Sequence, residues 1–592
     1  MAIGLSSKLE RALTWRIRYV SERNFVLIIS GIVGIVSGIA AVILKEAVHL
    51  IHHLLTSQEF SENYIQVFYP LIGLLITVLL AKLLYREAQL GHAITDILYS
   101  ISRKSSVMGK SKMYSRMFTS AFTVGFGGSA GLESPVVLTG SAIGSNIAQV
   151  VNMNYKLRTL MIGCGTAGVI SAIFNAPIAG LIFSMEVILI EVSLASFIPL
   201  LVASVSATLV SIVLLGEDVI FSFKLVDTFN AFDTPLYIAL GIICGFTSIY
   251  FLSILNTIEE AFKKIKNDYT TVVVGGFLLS IIILLVPAVY GEGYEIIKAL
   301  LNNDQAALVQ RSIFLDAEEV DDWVLVAYLI AMVFVKAIAS SITVGCGGSG
   351  GTFAPSLFLG GVMGYTFAKL INLSELAYIS QSNFALVGMC GVICGVQYAP
   401  LSAIFLIAEL TGGYVLFIPL MIVSAISFST VSYFHPHSIY IRELHSRGEY
   451  AVADHDKKIL SNLSIDNLIE RDFKKVPQHA LLSDLVKIIS VSKRNIFPVI
   501  GADEGLVGIV TLDDVRDIMF DAKKQDKVKI TSLMSLPPEF INYGDNMETV
   551  VHKFETSQAW NLPVIKEGKY VGFVSKSRIF SVYRKQLINQ KK

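Results

Sequence analysis

The chain has 592 residues, of which 53% are hydrophobic and only 16% are charged, and its mean hydropathy is +0.63. Soluble domains contain about 25% charged residues, so this composition excludes a mostly soluble enzyme. The formal net charge is zero, which provides no overall field for a nucleic acid or an acidic substrate. The composition instead predicts a polytopic membrane protein, and the 44 glycines suit the close helix packing of such proteins.

A basic segment, residues 1–24, precedes the first apolar stretch, which runs from Phe25 to Leu44. No small-residue cleavage site follows the basic residues, so we expect this stretch to be retained as the first membrane helix. The excess of Lys and Arg before it predicts a cytoplasmic N-terminus.

Further apolar blocks continue to residue 433. A membrane span needs about 20 apolar residues, and several blocks are too long for one span but too short, or too rich in glycine, for two. We therefore predict tilted, paired or broken helices. Residues 25–442 are assigned to one transmembrane domain, with halves at about 25–215 and 234–433.

All the cysteines lie in apolar stretches, namely Cys164, Cys244, Cys346, Cys390 and Cys394. Free cysteines in such surroundings usually serve as small packing residues. We therefore expect neither a disulfide framework nor a metal site.

The membrane region contains an internal repeat. Residues 127–135 (Gly-Gly-Ser-Ala-Gly-Leu-Glu-Ser-Pro) are echoed 220 positions later by residues 347–355 (Gly-Gly-Ser-Gly-Gly-Thr-Phe-Ala-Pro). A second pair of motifs, around Pro177 and Pro400, lies 223 positions apart. Two matches at nearly the same spacing indicate a duplicated unit with interrupted helices.

Glu133 is the only charged residue between Arg116 and Lys156. A carboxylate inside a membrane is costly unless it is paired, hydrated or protonated. This isolation along the chain favours a functional role for Glu133, and a protonated structural acid is the alternative.

Interrupted helices at matching positions in two halves indicate a binding site near the membrane midplane. Pro135 and Pro355 suit the first turn of a helix, where no amide donor is lost. The free N–H groups at two helix starts would then attract an anion without needing Lys or Arg. Such a site binds an anion and also releases it, as conduction requires.

These motifs resemble those of the CLC chloride channels and chloride/proton exchangers, over nearly the whole chain. Residues 131–135 are similar to the family's glycine-arginine-glutamate-glycine-proline element, and residues 351–355 to its glycine-x-phenylalanine-x-proline element. Residues 174–180 and 438–440 are also similar to family motifs. The resemblance implies an all-α polytopic membrane fold with an inverted internal repeat, a homodimer, and chloride transport across a bacterial inner membrane.

The resemblance also implies roles for individual residues. Glu133 takes the place of the gating glutamate, whose carboxylate competes with the anion for backbone amides and leaves when protonated. Tyr440 would contribute the inner hydroxyl, although packing is the alternative for both Tyr440 and Phe353. The backbone amides expected to bind the anion are those of Leu132, Ser134, Thr352, Phe353 and Ala354.

The chain departs from the family pattern at His92, which replaces the serine of the glycine-serine-glycine-isoleucine-proline element. A neutral imidazole can donate one hydrogen bond, and its titration would make anion binding sensitive to pH. A packed histidine is the alternative. Leu132 and Ser134 replace the Arg and Gly that flank the glutamate, but their amides are retained.

Val187 occupies the position at which exchangers of this family carry an internal proton-transferring glutamate. An aliphatic side chain cannot carry a proton, so channel-like passive conduction is favoured over proton-coupled exchange. Water could replace the missing acid, which keeps the exchanger open as an alternative. For the neighbouring Glu186 and its repeat partner Glu409 we expect a structural role.

Residues 443–592 are polar and show two similar halves, about 461–523 and 527–587. Each half reads as strand, turn, strand and helix, and the pair resembles tandem CBS modules at the cytoplasmic C-terminus. The resemblance implies an adenine nucleotide held by Thr511 and Asp514. A purely structural, dimer-bracing domain is the alternative.

Three hypotheses for the function remain open. The favoured one is a Glu133-gated chloride channel that requires no cofactor, and the second is a proton-coupled chloride antiporter. The third is a nucleotide-sensing membrane scaffold. No pairing of a nucleophile with a base accompanies the apolar motifs, so no enzymatic activity is expected.

Overall fold

The computed structural model describes residues 21–55, 64–85, 92–189, 194–216, 229–309, 312, 321–446, 463–557 and 559–589. The chain separates into two units, Met1–Tyr450 and Ala451–Lys592. Most of the basic N-terminal segment, residues 1–20, lies outside the described residues. So does the junction between the membrane region and the tail, at 447–462.

The described part of the first unit is helical. Its first half contains α1 (Glu22–Leu55), α2 (Tyr69–Tyr85), α3 (Ala93–Arg103), α4 (Ser115–Gly125), α5 (Glu133–Val150), α6 (Tyr155–Phe174), α7 (Pro177–Phe183) and α8 (Leu194–Leu215). The second half contains α9 (Thr234–Lys263), α10 (Asp268–Leu285), α11 (Tyr294–Leu301), α12 (Gln305–Val309), α13 (Asp322–Gly345), α14 (Phe353–Leu373), α15 (Gln381–Gln397), α16 (Pro400–Leu410) and α17 (Phe417–Phe434), followed by α18 (Ile439–Ser446). Among the described residues, nine helical stretches are long and apolar enough to cross a membrane. The expected polytopic helical class is confirmed.

The two repeated glycine segments pair with each other. Gly131 N–H donates to Gly351 O at 3.0 Å, and Gly351 N–H donates to Gly131 O at 2.8 Å. Gly127 and Gly347, at equivalent turns just before, have φ of +87° and +108°, a region open mainly to glycine. Because equivalent residues exchange the same bond in both directions, a local two-fold axis relates the segments, and the starts of α5 and α14 lie together.

Side chains repeat this exchange. Ser129 N–H donates to Thr343 Oγ1 at 3.2 Å, and Ser349 N–H donates to Thr123 Oγ1 at 3.0 Å. Each glycine segment is thereby fixed to the helix that precedes the other one, α13 or α4. The two halves of the repeat are joined at the backbone rather than only by side-chain packing.

Two carboxylates cap the interrupted helices across the repeat. Glu409, at the end of α16, accepts two backbone N–H groups at the start of α7, at 3.0 and 2.8 Å. Glu186, just after α7, accepts two N–H groups at the start of α16, at 3.1 and 2.8 Å, and the Ser402 hydroxyl at 2.6 Å. These bonds satisfy amide donors that have no partner within their own helix, so both acids hold helix ends in place.

Glycines let α5 approach α6 and let α14 approach α15. A Cβ at Gly140 or Gly144 of α5, or at Gly360 or Gly364 of α14, would overlap a backbone carbonyl of the facing helix. Small residues commonly allow this contact between membrane helices. The same packing in both halves sets how α5 and α14 are oriented behind their paired starts.

The described part of the second unit consists of two α/β modules. The first contains β1 (Val476–Pro477), α19 (Leu482–Val491), β2 (Ile496–Ile500), β3 (Leu506–Thr511), α20 (Leu512–Val515) and α21 (Ala522–Gln525). The second contains β4 (Ile541–Asn542), α22 (Met547–Ser557), β5 (Asn561–Lys566), β6 (Lys569–Ser575) and α23 (Lys576–Asn589). In each sheet the first strand is parallel to the second, which is antiparallel to the third. The predicted repeat of strand, turn, strand and helix is confirmed.

Replacing Gly144 with Ala should destabilise the membrane unit, because the added methyl group would force α5 away from α6. Overpacking of this kind costs about 1–3 kcal/mol. Thermal unfolding of the purified protein in detergent measures this loss of stability. Gly413→Ala is the matched control, because a Cβ at Gly413 meets open space. Equal melting temperatures for the two variants would contradict the packing account.

Candidate functional site

A small cavity lies where the starts of α5 and α14 meet. Its walls are partly apolar, but hydroxyl, amide and carboxyl groups also reach it. The lining residues are Ile94, Glu133, Ser134, Val137, Phe183, Thr352, Phe353, Gln397 and Tyr440. Of the residues in this lining, Glu133 is the only carboxylate. The sequence-predicted gate and several predicted anion-binding residues therefore surround one space.

The Glu133 side chain is buried, with only 2% of its surface exposed. The Tyr294 hydroxyl donates to its Oε1 at 2.6 Å. The N–H of Ala354, in the first turn of α14, is directed at the same carboxylate, although Oε2 has no partner within hydrogen-bonding geometry. The start of a helix carries a partial positive charge, so the carboxylate occupies a position suited to a small anion.

Glu133 is isolated along the chain but not in space. Glu292, from the turn before α11, accepts the Leu132 N–H at 3.3 Å. Lys336 of α13 is fully buried; its ammonium group donates to two carbonyls of that turn at 3.2 and 2.7 Å and interacts electrostatically with Glu292. The inference that Glu133 is a lone carboxylate therefore applies only to its sequence neighbours.

Glu292 and Tyr294 were not singled out by the sequence reasoning. Their only sequence signal is the short motif Gly291-Glu292-Gly293-Tyr294, which follows an apolar block and has no match in the repeat. Gly293 has φ of +91°, a backbone conformation that favours glycine. This turn directs the two side chains toward the start of α5.

A polar network lines another side of the cavity. Gln397 Nε2 donates to Thr352 Oγ1 at 3.1 Å, and the Tyr440 hydroxyl donates to Gln397 Oε1. The predicted hydroxyl of Tyr440 thus reaches the cavity lining, but its proton is engaged by an amide. Gln397 was also missed, and its available signal was the repeat, in which it matches the apolar Phe174 at a spacing of 223.

The amides predicted to bind an anion divide into two groups. Ser134, Thr352 and Phe353 line the cavity, whereas Leu132 and Ala354 face the carboxylates of Glu292 and Glu133. The ring of Phe353 also packs on Phe174 and Phe183, with centroid distances of 5.4 and 6.3 Å. Phe353 therefore both lines the cavity and packs its ring on two other aromatic residues.

His92 lies apart from this cavity lining. Its Nε2 is 3.0 Å from Glu259 Oε1 and 3.9 Å from Glu443 Oε2. The Thr95 hydroxyl donates to the same Glu443 oxygen at 2.7 Å. Two carboxylates distant in sequence attract the imidazole, so the structure does not bring His92 to the predicted position of the serine hydroxyl.

Val187 belongs to a π-helical turn, Ser184–Ile188, that follows α7. Its side chain is half-buried and packs against the hydrophobic core. It is not among the residues that line the cavity. The position predicted for a proton-carrying glutamate is therefore filled by an ordinary packing residue.

In the first α/β module, Thr511 and Asp514 bond to each other. Asp514 Oδ2 accepts the Thr511 hydroxyl and N–H, both at 2.7 Å, and Asp514 N–H donates to Thr511 Oγ1 at 3.3 Å. This pair caps α20. In the second module, the Ser575 hydroxyl donates to Glu470 Oε1 at 2.5 Å, so the equivalent hydroxyl already has an acidic partner.

All five cysteines are buried and free of disulfide bonds. Among the described residues, no group of three or more His, Cys, Asp or Glu side chains could hold a metal ion.

Comparison with known proteins supports the assignment of both units. The family model for the voltage-gated chloride channel matches residues 72–432, and the CBS domain model matches residues 465–521 and 530–585. The chain belongs to the CLC chloride channel family. The resemblance stated from its motifs, including the C-terminal CBS pair, is confirmed, and chloride transport is the activity of the family.

Individual relatives differ in the transport mode that their names state. The chain is 28% identical to chloride channel protein CLC-e of Arabidopsis thaliana, over 66% of this chain and only 57% of that protein. It is 27% identical to the H⁺/Cl⁻ exchange transporter ClcA of Vibrio cholerae, over 67% of this chain and 84% of that protein. It is 26% identical to the voltage-gated chloride channel ClcB of Escherichia coli, over 59% of this chain and 79% of that protein.

Two solved structures show the same fold. A slow cyanobacterial Cl⁻/H⁺ antiporter gives a TM-score of 0.63 at 19% identity, covering 72% of this chain and 98% of that one. A eukaryotic CLC transporter gives a TM-score of 0.61 at 18% identity, covering 94% of this chain and 99% of that one. At these identities the likeness concerns the fold alone.

Replacing Lys336 with Met should destabilise the membrane unit, because two backbone carbonyls would lose the buried group that donates to them. Leaving a buried acceptor without its partner costs about 1–3 kcal/mol. Unfolding should be measured for Lys336→Met, Glu292→Gln and the double variant, with Lys298→Met at an exposed lysine as the control. We expect the double variant to be less destabilised than the sum of the single variants, with a coupling of about 0.5–3 kcal/mol. Strict additivity would show that the two residues act independently.

Proposed function

We propose that the protein conducts chloride passively through this cavity and that Glu133 is its gate. The supporting observation is the position of the Glu133 carboxylate at the start of α14, facing the Ala354 N–H. A carboxylate and a halide compete for the same donors, because both are small anions that helix starts attract. The site therefore holds either the side chain or the transported ion.

Opening follows from protonation of Glu133. A neutral carboxyl group is attracted less by the start of α14 than a carboxylate is, so the side chain can leave and chloride can enter. Tyr294 opposes this step, since its hydroxyl holds Glu133 Oε1 at 2.6 Å. Chloride then accepts hydrogen bonds from the amides of Ser134, Thr352 and Phe353, three residues that line the cavity.

Passive conduction is the favoured mode because of Val187. Its side chain cannot carry a proton, and Glu133 is the only carboxylate in the described cavity lining. Chloride can therefore pass without a dedicated acid to relay protons from the opposite side of the gate. The absence of a full positive charge from the lining also favours release of the ion.

Proton-coupled antiport is the second candidate, and Glu292 favours it. Glu292 accepts the N–H of Leu132, the residue before Glu133. A second carboxyl group therefore lies close to the gating glutamate. The names of two relatives in the comparison state chloride/proton exchange. In this mode Glu292 would exchange protons with Glu133 through Tyr294 or water.

The same proposal covers assembly and location. The protein would form a homodimer in the bacterial inner membrane, with both termini in the cytoplasm, and would have no enzymatic activity. The CBS pair would regulate transport, and an adenine nucleotide would contact Thr511 and Asp514. The capping bonds of Asp514 use only Oδ2, which leaves Oδ1 for a ribose hydroxyl.

Replacing Glu133 with Gln should keep or raise chloride efflux from liposomes and remove its dependence on pH. The amide keeps the shape of the side chain but has no charge to hold it against chloride and no proton to gain. Glu295→Gln, at an exposed acid of α11, is the control. Unchanged efflux with an unchanged pH profile in Glu133→Gln would rule out the gating role.

The transport mode is tested by the reversal potential of the reconstituted wild-type protein under opposed chloride and proton gradients. Passive conduction predicts reversal at the chloride equilibrium potential, with no proton uptake driven by chloride. A reversal potential displaced toward the proton equilibrium potential would contradict passive conduction and support proton-coupled antiport. In that case Glu292→Gln should reduce proton flux more than chloride flux.

A further inference from the structure

Gln397 differs in chemistry from the residue that matches it in the repeat. It ends α15, as the apolar Phe174 ends α6, and both helices are followed by a residue in the left-handed region, Tyr398 and Asn175. The backbone is thus repeated while the side chain changes from apolar to polar. Gln397 is 3% exposed and lines the cavity, so this polar group has been placed where an anion is proposed to bind.

The amide of Gln397 joins two of the three hydroxyl groups in the described lining. Its Nε2 donates to Thr352 Oγ1 at 3.1 Å, and its Oε1 accepts the Tyr440 hydroxyl. A tyrosine hydroxyl has a single proton to donate. While Tyr440 donates to Gln397, it presents only lone pairs to the cavity and therefore does not attract an anion.

We propose that Gln397 is a positioning residue that controls the Tyr440 proton, an inference that rests on the proposed anion cavity. Rotation of the amide by about 180° exchanges its donor and its acceptor, because both ends of a glutamine amide form hydrogen bonds. In the rotated state Nε2 donates to Tyr440, Oε1 accepts from Thr352, and the Tyr440 proton is free to face chloride. Both states satisfy the amide, so rotation exchanges hydrogen bonds without leaving it unpaired.

This arrangement makes the affinity for the anion depend on the amide. In an empty cavity the first state is preferred, because the Tyr440 proton then has an acceptor in Gln397 Oε1, whereas in the second state it faces the empty space. An anion favours the second state by accepting the Tyr440 proton, and it must compete with Gln397 for it. Gln397 therefore weakens chloride binding at this wall and speeds its release, as rapid conduction requires.

His92 strengthens the importance of this hydroxyl. Its imidazole lies 3.0 Å from Glu259 and is not part of the described cavity lining. The predicted replacement for the family's serine hydroxyl is thus directed elsewhere. Tyr440 is left as the main hydroxyl donor to an ion on its side of the cavity, and Gln397 decides whether it donates.

The experiment is a double-variant cycle for chloride binding, measured by isothermal titration calorimetry on the full-length protein in detergent. The variants are Gln397→Met, which keeps the side-chain length but has no amide, Tyr440→Phe, and both together. We expect Gln397→Met to tighten binding by about tenfold, the effect of one hydrogen bond to an ion. Tyr440→Phe should weaken binding much less in the presence of Gln397 than in the Gln397→Met background, where the double variant should lose the tenfold gain.

Equal weakening by Tyr440→Phe in the presence and absence of Gln397 would overturn the inference, because Tyr440 would then donate to chloride regardless of the amide. Chloride binding should also be compared between the wild-type protein and Glu133→Gln. Binding that is absent from both would overturn the proposed cavity and this inference together. Binding with strictly additive effects in the cycle would overturn the inference alone.

Gln397→Glu provides a second test that does not require an apolar side chain to be tolerated at this position. A carboxylate accepts from both hydroxyls and adds a negative charge, so chloride binding should be lost at neutral pH. Acidification should restore it, because a protonated carboxyl group is neutral and, like the amide, both donates and accepts a hydrogen bond. A binding loss that does not respond to pH in Gln397→Glu would assign Gln397 a purely structural role.

Discussion

The structure of the membrane unit depends on the antiparallel pairing of Gly131 with Gly351. Their two hydrogen bonds, of 3.0 and 2.8 Å, bring the starts of α5 and α14 together without any charged side chain. A side chain at either glycine would meet the first turn of α14 or α5. Because neighbouring helix starts both carry partial positive charge, pairing them is unfavourable unless an anion or a carboxylate lies nearby. A negative charge near the glycine pair therefore stabilises the two helix starts.

Carboxylates from different parts of the chain supply this negative charge. Glu133 faces the Ala354 amide, and Glu292 accepts the Leu132 amide. Farther from the pair, Glu186 and Glu409 cap the starts of α16 and α7. All four acids bind helix N–H groups, but only Glu133 lines the cavity. Three of them therefore accept helix N–H groups away from the cavity lining, while the fourth lies where the proposed gating would exchange it for an anion.

Much of this could be predicted from the sequence, because a duplicated backbone leaves a duplicated pattern of glycine and proline. The repeat spacing predicted the interrupted helices and their shared site, and the family resemblance implied the cavity-lining Ser134 and Thr352. Residues without a repeat partner could not be found this way. Glu292 and Tyr294 lie in a turn unique to one half, and Gln397 matches a phenylalanine. His92 is not among the described lining residues, and its imidazole lies beside Glu259 and Glu443, which are distant in sequence.

The departures from the repeat lie where the two halves must differ. A cavity on a two-fold axis would have identical walls, and an ion inside it would meet the same groups on both sides. Here one wall carries Glu133, which accepts a hydrogen bond from Tyr294, and another carries Gln397 with Tyr440. In each pair a tyrosine hydroxyl donates to the other side chain. In the proposed mechanism, protonation of Glu133 and rotation of Gln397 release these bonds, and the two asymmetric pairs control the entry and exit of the ion.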